Sequence, residues 1–253
     1  MNNPLRSWLA ADLVGGWCQL PSSATAEVMG SVGFDFVCID AQHGLIGEDA
    51  LLPMLQALTA TGTRTLVRVP RNTPENIAAA LDRGADGVIV PLVDSAEQAA
   101  SAVAACHYPP RGTRSYGPTR VTWHGGDPLA PGGCIVMVET AEAVAALSEI
   151  LAVDGLDAVF VGPSDLALGT GRRPAAQSPG PHGDPEYFAL LRTITDACHA
   201  VGLPVGIFSA SPAHLHRYRA TGFNYFALSS DAAMLRAAAT DLLAASRPDN
   251  HAP

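Results

Sequence analysis

Four short stretches of this chain carry side chains suited to acid–base or metal chemistry, and each follows or ends a run of apolar residues. They are Asp40-Ala41-Gln42-His43-Gly44, Val67-Arg68, Val138-Glu139-Thr140 and Gly162-Pro163-Ser164-Asp165. Glu139 and Asp165 are the candidate metal ligands. Two carboxylates without a cysteine or histidine partner suit a hard cation that keeps several waters, Mg2+ or Mn2+ rather than Zn2+. Open positions on such an ion accept a chelating substrate, such as the carboxylate and keto oxygen of a 2-oxo acid, whose enolate a Lewis acid favours. The competing reading is that each acid simply caps the helix that follows it.

His43 is the candidate general base, because imidazole is the side chain that exchanges protons near neutral pH. A lone histidine is otherwise a structural hydrogen-bonder. Arg68 would hold an oxyanion or a substrate carboxylate, or else pair with a strand-end acid such as Asp40, which is itself a candidate catalytic group. Asp82, in Leu81-Asp82-Arg83-Gly84, reads by default as a solvated helix-end acid, and Trp17 as core or pocket wall. His214 and His216 lie two apart on a predicted helix and do not share a face. Gly169–Gly171 is a G-x-G fragment without a third glycine or a lysine, which argues against a nucleotide loop. Arg111, Arg114 and Arg120 sit in a long loop and suit an acidic substrate or an interface equally. The chain contains no lysine at all, so an amine nucleophile for Schiff-base catalysis is excluded.

These residues need a scaffold that brings strand ends together. Strand-like runs fall at Val14–Leu20, Phe34–Ile39, Thr65–Val69, Gly87–Val90, Cys134–Val138, Ala158–Val161, Val205–Phe208 and Tyr225–Leu228. Helical runs lie between and after them, at roughly 22–31, 48–61, 74–82, 95–106, 141–151, 186–200, 211–221 and 231–245. Several strands are apolar throughout, as in a parallel sheet covered on both faces. Thr73-Pro74-Glu75 and Asp94-Ser95-Ala96-Glu97 mark helix starts. Eight strands alternating with eight helices predict an α/β fold, a (β/α)8 TIM barrel, with the site at the C-terminal ends of the strands. A doubly wound sheet is the alternative. Two Gly/Pro-rich segments, 107–133 and 169–185, interrupt the rhythm. No shift in composition marks a boundary, so residues 1–253 read as one domain.

Of the 253 residues, 48% are hydrophobic and 15% charged, with a net charge of −9. The chain can therefore build a large core, and an acidic chain without a basic run is a poor partner for nucleic acid or an anionic membrane. No 18-residue apolar stretch is present, and the first residues lack the apolar centre of a signal peptide. Five cysteines without a C-x-x-C pair argue against a disulfide framework or a zinc knuckle. The expectation is a reduced, cytoplasmic protein.

The run Gly33-Phe34-Asp35-Phe36-Val37-Cys38-Ile39-Asp40-Ala41-Gln42-His43-Gly44, together with Val67-Arg68, Tyr108-Pro109-Pro110-Arg111-Gly112, Val138-Glu139-Thr140 and Gly162-Pro163-Ser164-Asp165-Leu166, resembles the 4-hydroxy-2-oxoheptanedioate aldolase family. These are class II, metal-dependent pyruvate aldolases, and the resemblance runs from about residue 14 to about residue 245. It implies a barrel that exchanges its last helix with a neighbour and assembles as a hexamer, a trimer of dimers. It also implies a divalent ion, Mg2+ or Mn2+ with Co2+ a third option, and a 2-oxo acid and an aldehyde as substrates. By the resemblance Glu139 and Asp165 match the metal ligands, His43 the base and Arg68 the residue stabilising the transition state. Asp82 matches an acid that raises the basicity of the histidine, and Ser164 stands where a backbone group binds substrate. Two positions depart from the pattern: Gln42 replaces a glutamate, and Met137 replaces a glutamine that contacts the oxo acid. The implied activity is a carbon–carbon lyase. The rivals are an acyl-CoA-type lyase with the same metal–enolate chemistry, which would want a basic nucleotide groove, and a catalytically idle barrel used for binding.

Overall fold

Along each strand every second side chain faces the same way, and two separate cores follow from that alternation. The computed structural model describes residues 4–173 and 183–247. Within them eight parallel strands close into one barrel in sequence order: β1 Leu13–Cys18, β2 Phe36–Asp40, β3 Arg64–Arg68, β4 Gly87–Val90, β5 Gly133–Val138, β6 Ala158–Val161, β7 Val205–Ser209 and β8 Tyr225–Leu228. One residue set fills the interior, with Leu13, Trp17, Phe36, Cys38, Leu66 and Ile89 from the first four strands. Ile135, Met137, Phe160 and Tyr225 complete it from the others. The alternate set, including Val37, Ile39, Val67, Val88, Val136 and Val159, packs outward under the helices. The strands read as continuously apolar because both of their faces are covered.

The outer layer comprises α2 (Ser23–Ser31), α3 (Glu48–Thr61), α4 (Pro74–Asp82), α5 (Ala96–Cys106), α10 (Pro185–Ala200) and α11 (Pro212–Arg219). Caps at Ser22, Thr73, Ser95 and Ser211 each accept a backbone N–H of the first turn, which satisfies donors that the helix itself leaves open. The expected single helix over 141–151 is two, α7 (Ala141–Ala145) and α8 (Leu147–Leu151), broken at Ala146; no proline or glycine accounts for the break. Three further helices were not expected. α1 (Pro4–Leu9) puts Leu5 and Leu9 into the bottom of the barrel, α6 (Thr119–Trp123) lies in the 107–133 loop, and α9 (Pro163–Gly169) follows β6 directly. The centre of the other interrupting segment, 174–182, lies outside the described residues.

A repeated tripeptide closes the lower rim. Gly33-Phe34-Asp35, Gly84-Ala85-Asp86, Gly155-Leu156-Asp157 and Gly222-Phe223-Asn224 precede β2, β4, β6 and β8. In each the glycine has a positive φ, from 89 to 112°, a backbone that a side chain would strain. The acid or amide then accepts the N–H of Val14, Thr65, Cys134 or Val205 on the preceding strand, at 2.7 to 3.1 Å. Because Asp35 serves this rim, β2 begins at Phe36 and not at the expected Phe34. β1 likewise ends at Cys18, since the N–H groups of Gln19 and Leu20 turn to the Asp231 carboxylate. All five cysteines are free and buried. Among the described residues no helix is long and apolar enough to cross a membrane.

α12 (Asp231–Ser246) is the exception to the layered plan. Its cap at Ser230 and the bonds of Asp231 fix its start, but only Asp231 is buried. Leu235, Leu242 and Leu243 are 64, 73 and 52% exposed.

Candidate active site

The inward-facing series of residues, carried one step beyond the apolar layer, becomes polar. Phe36-Cys38 is followed by Asp40, Leu66 by Arg68, and Ile135-Met137 by Glu139. The register pairs Asp40 directly with Arg68 across β2 and β3, and the two form a bidentate pair through Nε at 2.8 Å and Nη2 at 2.6 Å. Arg68 also lies over the Trp17 ring, 5.0 Å from its centroid. Asp40 further accepts from Trp17 Nε1, from Gln19 Nε2 and from the backbone N–H groups of Gln42 and His43. Burial pushes the Asp40 carboxyl up, but these donors, Arg68 foremost, outweigh it and leave it below its ordinary range. Asp40 was expected among the catalytic groups. Both of its oxygens accept from fixed donors, which hold Arg68 and the turn that carries His43 in place.

His43 is exposed at the mouth and lines a cavity of about 190 Å3. The polar side of that cavity is Gln19, His43, Arg68, Ser164 and Asp165; the apolar side is Trp17, Met137, Phe160, Pro163 and Phe208. Trp17 stacks on Phe160 and meets Phe208 edge-on, so it is both core and wall. Ser164 and Asp165 are exposed in the first turn of α9, behind Gly162 and Pro163.

Glu139 is 2% exposed and sits against Gly162, whose missing Cβ would fall 2.4 Å from Glu139 Oε2. A glycine is required there for the close approach. The other oxygen, Oε1, accepts the N–H of Leu92 at 2.8 Å, and Leu92 holds a left-handed φ of 53° with its side chain 53% exposed. A non-glycine residue in that region is strained, and such strain clusters at functional sites. Burial pushes the Glu139 carboxyl up to about 7; the charges of Asp165 and Asp94 push the same way, while the Leu92 N–H and Arg68 oppose them. Neither acid caps a helix. Thr140 does so for α7, and Gly162 occupies the cap of α9 without a side-chain bond. A buried carboxylate beside a second one is a site that a cation relieves. Among the described residues no three His, Cys, Asp or Glu side chains gather as a cage, so the donor set fits an ion completed by water and substrate.

Asp82 does not join this group within one chain. It ends α4, which runs antiparallel to the strands, and so lies toward the lower rim, where its carboxylate accepts Arg114 Nη2 at 2.6 Å. The loop arginines lie at that same end. Arg114 is buried, and Arg120 donates to Arg83 O and Thr59 Oγ1, so both serve structure and not an acidic substrate at the mouth. His214 bonds Ser211 at the start of α11. Gln19, Phe160, Phe208 and Leu92 escaped the sequence reading. The first three continue the inward period of β1, β6 and β7, so counting by twos would have found them; the role of Leu92 comes from its backbone and has no side-chain signal.

A closed parallel barrel with two acids, a histidine and an arginine at the C-terminal mouth defines an enzyme-type site. The HpcH/HpaI aldolase/citrate lyase family matches residues 14–238. A hydroxypyruvate/pyruvate aldolase of Rhizorhabdus wittichii is 38% identical, over 92% of this chain and 94% of that protein. A 2-dehydro-3,6-dideoxy-6-sulfogluconate aldolase of Pseudomonas putida is also 38% identical, over 92% and 91%. The crystal structure of an HpcH/HpaI aldolase/citrate lyase family protein from Burkholderia cenocepacia superimposes with a TM-score of 0.85 at 28% identity, covering 98% of this chain and 100% of that one. The chain belongs to the HpcH/HpaI aldolase/citrate lyase family. It is an aldolase, a carbon–carbon lyase, of a family that generally depends on divalent metal.

Proposed function

We propose that this aldolase makes and cleaves 4-hydroxy-2-oxo acids, with pyruvate or a close 2-oxo acid as donor and an aldehyde as acceptor. Relatives named for pyruvate and hydroxypyruvate support that donor class. Glu139 and Asp165 would hold Mg2+ or Mn2+, with Co2+ a third option, and Ser164 would contact the donor from the first turn of α9. When bound, the ion supplies the Lewis-acid charge that favours the enolate of a 2-oxo acid. In cleavage His43 accepts the proton of the C4 hydroxyl as the C3–C4 bond breaks. The aldehyde leaves, the electron pair stays on C3, and a proton returned to C3 completes the donor acid. Arg68, held rigid by Asp40 and Trp17, faces the oxyanion charge that develops. The packed rings of Trp17, Phe160 and Phe208 give the reacting carbons an apolar wall.

The observation that carries this reading is the buried Glu139, set against Gly162 and within reach of the charge of Asp165. Among the described residues that line the cavity the one arginine, Arg68, is already paired with Asp40, which disfavours a nucleotide-bearing acyl-CoA substrate. The test is pyruvate release from a 4-hydroxy-2-oxo acid. EDTA should abolish it, Mn2+ should restore it, and Glu139→Ala should lose activity and metal dependence together. Full metal-stimulated turnover in Glu139→Ala would put the metal elsewhere.

The uncovered α12 supports exchange of that helix between subunits and a hexamer. Free, buried thiols agree with a reducing, cytoplasmic setting.

A further inference from the structure

Gln19 is the neutral amide of the cavity, and neither the metal site nor the Asp40–Arg68 pair needs it. Its backbone is pinned twice: its N–H donates to Asp231 Oδ1 at 2.8 Å, and its carbonyl accepts the Leu45 N–H at 2.8 Å. Its side chain makes one long bond, Nε2 to Asp40 Oδ2 at 3.4 Å, to a carboxylate that already takes shorter bonds from Arg68. A rigid backbone carrying a weakly engaged amide is a prepared contact for a ligand.

The barrel fixes what that ligand group is. β1 neighbours β2 and β8, whereas β5 and β6, which carry Glu139 and lead to Asp165, lie across the barrel. Gln19 therefore stands beside His43 and opposite the donor. On the aldolase reading, the acceptor carbonyl must present its oxygen to His43, which leaves the next carbon of the acceptor within reach of Gln19, whose backbone adjoins the turn that carries His43. The apolar wall offers that carbon no polar partner. A primary amide both donates and accepts, as a hydroxyl does, so the two match as a reciprocal pair.

We infer that Gln19 selects an acceptor aldehyde bearing a hydroxyl on the carbon next to the carbonyl. The inference rests on the aldolase reading, and the test separates the two. With pyruvate as donor, kcat/KM is compared for glycolaldehyde and its isostere propionaldehyde, in the wild type and in Gln19→Met. One net hydrogen bond corresponds to roughly a 2- to 13-fold ratio. The wild type should favour glycolaldehyde by that margin, and Gln19→Met should bring the ratio close to one. An unbiased wild type would overturn the inference without any variant. So would a Gln19→Met enzyme that keeps the ratio, or one that loses both acceptors equally and so reveals mere support of Asp40. Exchange of the pyruvate methyl protons with deuterium, which needs no acceptor, reports the aldolase reading separately. If that exchange and all aldol products are absent from the metal-loaded wild type, the parent reading has failed and this inference falls with it.

Discussion

Asp40 ties the mouth together, because one carboxylate joins Arg68, Trp17 and the turn that carries His43. It is fully buried and holds the buried Arg68 guanidinium, so Asp40→Asn leaves a charge without its partner and should cost about 3–5 kcal/mol in urea unfolding at pH 7. The pH dependence has a definite sign. The folded carboxyl is held below its ordinary value, whereas an unfolded aspartate titrates near ~3.9. The stabilisation is therefore complete above about pH 4 and is lost as pH falls through the folded value. Asp40→Asn should flatten that acid limb, and an unchanged limb would deny the pair its role. Met137 is 1% exposed and forms part of the cavity wall. A thioether offers bulk and polarizability but no amide. Met137→Gln should tighten the pyruvate KM by roughly 2- to 13-fold, the worth of one net hydrogen bond. It should also shift the donor ratio toward pyruvate over a longer 2-oxo acid. An unchanged ratio would mean the side chain does not reach the donor.

Elements matter here for what their ends present. Strand period carries Asp40, Arg68 and Glu139 to the mouth, and the turn from β6 into α9 must let Glu139 pass close behind it. Gly162→Ala sets a methyl 2.4 Å from Glu139 Oε2 and 3.0 Å from Met137 Cε. The carboxylate is the softer neighbour and moves. Apparent Mn2+ affinity, measured by calorimetry, should fall by about 10- to 100-fold, the range for disturbing support of a metal ligand, while the thermal midpoint changes little. Unaltered affinity would mean that Glu139 is not a ligand or tolerates the shift. The strand and helix succession was legible because apolar runs and caps are local signals. Helices α1 and α6 were not, because their stability comes from packing against the barrel bottom and the loop, which no local propensity records. The Gly-x-Asp/Asn repeat stood in plain sight in the chain, yet its meaning, one side chain tying two strands, exists only once those strands are neighbours.

The whole molecule leaves α12 without a cover of its own. A 16-residue helix with Leu235, Leu242 and Leu243 turned to solvent is an exposed apolar surface of the kind that marks an interface. Light scattering on the wild type should give a mass of about six chains. The double substitution Leu235→Asp and Leu242→Asp should yield smaller species without unfolding the barrel. A monomeric wild type would remove the exchanged-helix proposal. The chain by itself determined the barrel and the placing of Glu139, Asp165, His43 and Arg68 at or just after strand ends, because strand period and strand-end position are written in local order. Only the tertiary structure decided their company. It paired Asp40 with Arg68 through a register between strands 28 residues apart, and it sent Asp82 to the far rim because a helix runs back along its strand. It also brought Gln19 and Leu92 to the site from strand ends whose neighbours are chosen by closure of the sheet and not by sequence.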